Sequence, residues 1–372
     1  MKRKVCHMTS VHQWSDTRIF YKECSALAVE GYDVFLVAPV DGSFTERNVQ
    51  VIGVGKNQGS RLKRATVVAY RVMRNALRTK SNIYHFHDPE LIWTGLILRM
   101  RGKKVIFDIH ENIVEQIKVK RWLKFRGLFS ALYRGVDWLS SKVFRLVLAE
   151  ESYLKTYSKL TSNATVVMNF PDCEALSTFR NEKRGAELTG VFYVGGISVD
   201  RGIDVTIAAL AELKRMNVAC HFHCVGAVSP ELMNYLETQT EYNSVKSMIT
   251  FYGSMNVMEA YRISGQCVAG LSVLKPIGNY VESYSTKVFE YMSVGLPVIT
   301  SDFELYRNVV ERHQCGYCIN PQDPHALASA LKEILTNRDA GNEMGARGVR
   351  AALSEYSWTS EAKKLISLYK SL

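Results

Sequence analysis

Lys287 and Glu290 stand three residues apart in Ser285-Thr-Lys-Val-Phe-Glu-Tyr-Met-Ser-Val-Gly295-Leu-Pro297, and Glu282 lies just before them. Ser285 or Thr286 suits a helix N-cap, and Gly295 followed by Pro297 suits a helix end. Val288, Phe289 and Met292 then anchor the short helix in a core. Positions three apart share a helix face, so Lys287 and Glu290 project together near the N-terminus. Free N–H groups and the positive dipole end favour a phosphate there, and Lys287 adds a full charge. Glu290, one turn in, can accept hydrogen bonds from a diol such as a ribose. Each charge-assisted bond of that kind contributes about 1.5–3 kcal/mol. An ordinary capped helix with an i,i+3 ion pair uses the same residues, so local physics leaves both readings open.

A second constellation is Tyr193-Val-Gly195-Gly196-Ile-Ser-Val-Asp-Arg201-Gly202, a strand, a glycine turn and a helix start. Glycine at 195 and 196 lets the backbone approach a ligand closely, and Arg201 can meet a diphosphate. A third is Phe107-Asp108-Ile109-His110-Glu111, a strand that ends on a histidine.

Glu282 and Glu290, with seven residues between them and Gly295-Leu-Pro297-Val-Ile after them, resemble the E-x7-E signature of retaining glycosyltransferases of family 4. The resemblance implies a GT-B fold, two Rossmann-like doubly wound domains facing a central cleft. It implies that Glu290 binds the donor ribose, Glu282 sits at the donor sugar and Lys287 binds phosphate. Gly195, Gly196 and Arg201 fall where the family binds the diphosphate. Gly196 replaces the cation that often follows the first glycine there. His110 matches a histidine near the donor sugar and acceptor. Asp16, Thr17 and Arg18 follow the first strand, where the family places acceptor and diphosphate contacts, although the glycine pair frequent in that loop is missing. Cys315-Gly316 through Pro321-Gln-Asp323 resembles the family's closing segment, which accounts for two cysteines at metal-like spacing.

Other motifs are set aside. Gly53 to Ser60 is not a phosphate loop, because the Gly-Lys-[Ser/Thr] order is wrong. His85-Phe-His87-Asp88 places two histidines on one strand face and can in principle hold a metal. The simpler reading is strand, helix cap and helix start at Pro89. Asp-x-Asp is absent from the sequence, so no carboxylate pair for a metal–diphosphate complex is expected, and catalysis is expected to need no metal or other cofactor.

Short β-rich runs alternating with helical patterns must position these residues, which is the pattern of parallel sheets with crossover helices. Strands are expected near 4–8, 34–38, 49–54, 83–87, 105–109, 146–149 and 165–168, then near 191–194, 221–225, 249–252, 269–273, 298–300 and 317–319. A helix over 17–30 carries Ile19, Phe20, Cys24, Leu27 and Ala28 on one face and stops at Gly31. The pattern restarts after Asn169 and a polar stretch at 181–185. Two domains follow, 1–169 on the acceptor side and 170–358 on the donor side, with a helix over 359–372 packing back on the first. A length of 372 residues fits two cores, and 47 % apolar with 22 % charged residues is ordinary for a globular protein.

Charge is uneven. Residues 1–180 hold 29 Lys/Arg against 16 Asp/Glu, and the remainder 18 against 20. Basic clusters lie at Arg61, Lys63, Arg64, Arg71, Arg74 and Arg78, and at Lys118, Lys120, Arg121, Lys124 and Arg126. The asymmetry points to an anionic partner. With the resemblance it implies a nucleotide sugar, most commonly UDP-linked, and a polyprenyl-pyrophosphate-linked glycan acceptor in bacterial surface-polysaccharide biosynthesis. A cytoplasmic protein with peripheral contact to an anionic membrane is expected, since no apolar run approaches the ~20 residues of a span. No nucleic-acid module accompanies the charge. The alternatives are a sugar-nucleotide epimerase of similar fold and a non-catalytic partner subunit.

Overall fold

The computed structural model describes residues 2–56, 64–110, 126–181 and 183–372. Among the basic positions singled out above, Arg61, Lys63, Lys118, Lys120, Arg121 and Lys124 lie outside the described residues, as do Glu111 and part of the 53–60 turn. The chain forms two compact units, Met1–Asn169 with Trp358–Leu372, and Phe170–Ser357.

The first unit is an eight-stranded sheet. Its strands are β1 Lys4–Met8, β2 Asp33–Ala38, β3 Ser43–Glu46, β4 Val49–Gly53, β5 Ile83–Phe86, β6 Lys104–Ile109, β7 Arg145–Leu148 and β8 Ala164–Val166. Their spatial order is β3-β4-β2-β1-β5-β6-β7-β8, and every pairing is parallel except β3 with β4. Side-chain alternation splits the core in two. Cys6, Met8, Tyr84, Phe86 and Phe107 face one way. Val5, Leu36, Ile83 and Ile106 face the other, under Ile19, Phe20 and Leu27 and under Leu365 and Tyr369 of the final helix, Trp358–Ser371. Burying each side chain such as Leu365 contributes about 1.5–3 kcal/mol towards holding that helix on its sheet.

Two expectations need correction here. The segment Thr17–Cys24 winds as a π-helix, and only Ser25–Val29 is α-helical before Gly31 turns at φ +95°. Wider i→i+5 winding brings residues five apart onto one face, so Arg18 and Glu23 both turn inward and are buried. Asp88, read as a helix cap, makes no cap bond to the short Pro89–Leu91 turn. Its carboxylate instead accepts from the Thr9 hydroxyl at 2.8 Å and pairs with His12 Nδ1 at 2.8 Å, tying down the loop after β1.

The second unit is a six-stranded parallel sheet of β9 Gly190–Val194, β10 His221–Val225, β11 Ile249–Phe251, β12 Cys267–Ser272, β13 Val298–Ser301 and β14 Gly316–Ile319. The order is β11-β10-β9-β12-β13-β14, which puts β9 near the centre. The helix Thr286–Ser293 is fixed to this sheet by Tyr291, whose ring lies against Gly270 of β12. A Cβ at Gly270 would come within 2.5 Å of that ring, so only glycine permits the contact. The Tyr291 hydroxyl donates to Leu271 O at 3.1 Å and accepts from Val194 N at 3.2 Å. The helix is thereby registered to the end of β9. Val288, Phe289 and Met292 are buried, and Gly295 ends the helix at φ +74° while Leu296 N reaches Tyr291 O at 2.9 Å.

Candidate functional site

In the second unit the ends of β9 and β10 and the start of the 286–293 helix meet at the glycine pair. Gly195 adopts φ +132°, a backbone region closed to most side chains. A Cβ placed there would lie 2.6 Å from Lys287 Cε and 3.1 Å from its Nζ, and 3.6 Å from Arg201 Nη1. At Gly196 the same test meets Arg201 Nη1 at 3.2 Å. Two cations from distant stretches of sequence therefore converge on one bare backbone turn.

Neither cation has a carboxylate within ion-pair distance among the described residues. Lys287 Nζ lies 5.6 Å from the Tyr193 ring, and Arg201 Nη1 donates to Gly196 O at 3.3 Å. Burial, then repulsion from Arg201, pull the Lys287 ammonium down to about 8, with Glu290 opposing. An anion between the two cations would offset the repulsion between them. At the helix start Ser285 makes no side-chain cap bond, and its buried Oγ has no hydrogen-bond partner among the described residues. The expected cap is thus an unused polar group beside the helix N–H groups.

Glu290 lies one turn in. Its Oε2 accepts from the Tyr261 hydroxyl at 2.6 Å, which orients the carboxylate and leaves Oε1 for another donor. Tyr261 comes from the helix Val257–Ile263 and carried no sequence signal. Glu282 sits exposed on the turn after Asn279, whose carbonyl accepts its backbone N–H at 3.0 Å. The structure joins Gly195, Gly196, Arg201, Lys287 and Glu290 into one site and leaves Glu282 facing solvent near the same helix start.

In the first unit His110 follows β6. Its Nε2 pairs with Asp108 Oδ2 at 2.6 Å and lies 3.3 Å from His87 Nδ1, while its carbonyl accepts from the Tyr153 hydroxyl at 3.1 Å. Asp108 is fully buried. Burial alone would raise its pKa, but Arg18 and then His110 outweigh that and hold the carboxyl well below the usual range. His110 is thus an imidazole fixed through Nε2, with its side chain 17 % exposed.

Arg18 departs from the expected acceptor role. Its Nε and Nη2 donate to Asp108 at 3.0 Å each, its Nη1 donates to Val167 O at 2.9 Å, and it is buried. The guanidinium is buried and engaged in positioning Asp108, which removes it from the surface where an acceptor would bind. Asp16 Oδ1 accepts from Arg18 N and Ile19 N at 2.9 Å and starts the helix, and Thr17 is exposed.

Residues 178–350 match the family model described as glycosyl transferases group 1. The chain is 22 % identical to a phosphatidyl-myo-inositol mannosyltransferase of Mycobacterium leprae over 84 % of this chain and 79 % of that protein. Among solved structures, sucrose-phosphate synthase from Thermosynechococcus elongatus is similar with a TM-score of 0.74 at 16 % identity, covering 100 % of this chain and 99 % of that one. HepE of Anabaena, solved in complex with UDP-glucose, gives 0.72 at 13 % identity over 99 % and 100 % of the two chains.

Proposed function

We propose that this chain, a GT-B glycosyltransferase with its group 1 region in the second unit, moves a sugar from a nucleotide diphosphate sugar with retention of anomeric configuration. The observation that carries the donor half is the convergence of Lys287 and Arg201, without a carboxylate counter-charge, on Gly195-Gly196. A diphosphate fits that need. Glu290, with Oε1 open, accepts from ribose hydroxyls, and uridine is the proposed base, in keeping with the UDP-glucose complex of HepE.

In this proposal the anomeric C–O bond breaks and its electrons move onto the departing diphosphate. Lys287, Arg201 and the N–H groups at 286–293 stabilise the growing charge, the kind of electrostatic term that usually dominates catalysis. Glu282 orients the sugar. The acceptor hydroxyl attacks from the leaving-group side and its proton passes to the departing phosphate oxygen. The two cations supply the charge for which other enzymes use a metal on an Asp-x-Asp pair, a motif absent from this sequence.

Thermal melts with UDP, GDP, CMP, NAD and several UDP- and GDP-sugars, with EDTA present, test the donor. Saturation at a hundred times Kd should stabilise the protein by about 2.7 kcal/mol with UDP and one UDP-sugar. Glu290→Ala should abolish the shift. No shift with any donor overturns the proposal in favour of a partner subunit, and a new nucleotide sugar formed without acceptor would make the protein an epimerase.

The proposed acceptor is a polyprenyl-pyrophosphate-linked glycan at the cytoplasmic face of the membrane, in the building of O-antigen, capsule or exopolysaccharide. No helix among the described residues is long and apolar enough to cross a membrane. The first unit is the basic one and exposes Trp93, Met100 and Trp138 at 72, 79 and 54 %. Basic charge with exposed indoles suits an anionic interface. The protein should co-sediment with vesicles containing phosphatidylglycerol at low salt and be released at high salt. Failure to bind at low salt overturns the membrane assignment.

A further inference from the structure

We propose that the first unit holds one divalent transition-metal ion, zinc by its ligand chemistry, on His7, His87 and Glu23 with His85 as fourth donor. Nothing in the sugar-transfer scheme uses these groups, and the inference stands independently of it.

The topology brings them together. β1 and β5 pair in parallel with His7 opposite His85, so the two imidazoles share a sheet face. His87 follows two residues later on that same face, its backbone N–H held by Met8 O at 3.1 Å. The π-wound Thr17–Cys24 segment then lowers Glu23 onto the three rings. All four residues are almost wholly enclosed, at 0, 0, 0 and 2 % exposed for His7, Glu23, His85 and His87.

Their donor atoms lie within 4.8 Å of one another. His7 Nδ1 is 3.0 Å from His87 Nε2 and 3.9 Å from Glu23 Oε2, and Glu23 Oε2 is 3.8 Å from His85 Nδ1. A tetrahedral ion with bonds of about 2.0–2.1 Å sets its ligand atoms about 3.3 Å apart. The observed separations bracket that value, so small side-chain rotations close the shell.

For His7 and His87 the outer partners are those a metal site needs, whereas His85 Nδ1 bonds the Tyr369 hydroxyl at 2.7 Å and would have to exchange that bond for the metal. A ligating imidazole fixes its tautomer by a bond from its second nitrogen. His87 Nδ1 faces Asp108 Oδ2 at 3.2 Å, and His7 Nε2 faces the Tyr369 hydroxyl at 3.1 Å. The inner atoms, His87 Nε2 and His7 Nδ1, are then the ones that point at the shared centre.

A protein-only reading leaves a debt at Glu23. Neutral histidines can be chained, with His85 Nδ1 donating to the Tyr369 oxygen, Tyr369 to His7, His7 to His87, and His87 to Asp108. Both Glu23 oxygens nevertheless remain buried without a hydrogen bond, as does His85 Nε2. Arg18 Nε is 3.1 Å from Glu23 Oε1, yet it donates to Asp108. Arg18 thus offers Oε1 an ion pair, and Oε2 is the enclosed oxygen left with neither ion pair to a permanent cation nor hydrogen bond, which costs free energy. A dication bound through Oε2 removes that cost. Imidazole-rich ligation selects zinc, nickel, cobalt or copper over magnesium and calcium. Four protein donors leave no open coordination position, so the ion is structural and takes no part in sugar transfer. The neighbouring set His87, Asp108 and His110 is the weaker candidate, because Arg18 already occupies both Asp108 oxygens.

The test uses the full chain, produced with zinc in the medium and dialysed into metal-free buffer without chelator. Mass spectrometry should find about one equivalent of zinc per chain, since binding of this kind is linked to folding. Cobalt exchanged into the site should give the visible absorption of a four-coordinate ion, without a thiolate charge-transfer band. Glu23→Gln should lose the metal, whereas His325→Ala, at a surface imidazole, should keep it. If Glu23→Gln does not fold, X-ray absorption of the wild-type protein decides by counting imidazole ligands. Wild-type protein without stoichiometric metal, a thiolate band, or full retention in Glu23→Gln overturns the proposal.

Discussion

Lys287→Ala is expected to lower kcat/KM for the nucleotide-sugar donor by about ten- to a hundredfold. Losing one charge-assisted bond to the diphosphate removes about 1.5–3 kcal/mol, and each 1.36 kcal/mol is a factor of ten in rate. The loss should fall on kcat as well as KM, because the charge on the diphosphate grows as the anomeric bond breaks. Glu282→Ala should lose at least about tenfold through misplacement of the sugar. A near-wild-type rate in either variant sinks its assignment. The pH profile gives a second reading of Lys287. Its ammonium is held down to about 8, so it is charged below that pH and neutral above. Values of kcat/KM, which report the free enzyme, should therefore decline as pH rises through about 8. A bound diphosphate favours the ammonium, so the fall in kcat should come at higher pH. Lys287→Arg, whose charge does not titrate in this range, should lose the alkaline limb.

The candidate donor site was legible because most of its information is local. Capping residues, the Lys287–Glu290 spacing and the Gly295-Leu-Pro297 stop are all readable within one helix, and the glycine pair follows an obvious strand. Tyr261, which orients Glu290, and Gly270, which admits Tyr291, gave no signal because their roles exist only once β12 and two helices have packed. Regular strands announced themselves by apolar runs. β3 did not, since all four of its residues are exposed and carry no alternation. The first unit hid its chemistry for a different reason. Apolar periodicity at Ile19, Phe20, Cys24 and Leu27 reads as α, and nothing in that periodicity marks Arg18 and Glu23 as buried alongside it. His7 and His85 lie 78 residues apart and become neighbours through strand register alone.

Arg184 shows the same limit from the side of stability, and it carries the largest expected effect on folding. It sits in the polar stretch at 181–185, yet it is 3 % exposed. Its guanidinium donates to Ser264 O at 2.9 Å, Val294 O at 3.0 Å, Gly295 O at 3.4 Å and Cys267 O. One side chain thus satisfies carbonyls at the end of the 286–293 helix and at the start of β12. Burial pulls its pKa down to about 10, which leaves it charged at neutral pH. Arg184→Ala removes the cation and strands those carbonyls in a space closed to water, a loss of about 3 kcal/mol or more. For a unit of this size that lowers Tm by about 6–12 °C. Arg184→Lys should recover little, because an ammonium cannot span acceptors that a planar fork reaches together. Both variants also loosen the C-terminal end of the helix whose N-terminal turn carries Lys287. UDP should therefore rescue part of the lost Tm in Arg184→Ala, since the ligand binds only the folded unit. A variant that melts with wild-type Tm would mean that the carbonyls find other donors, and that the helix holds its register without Arg184.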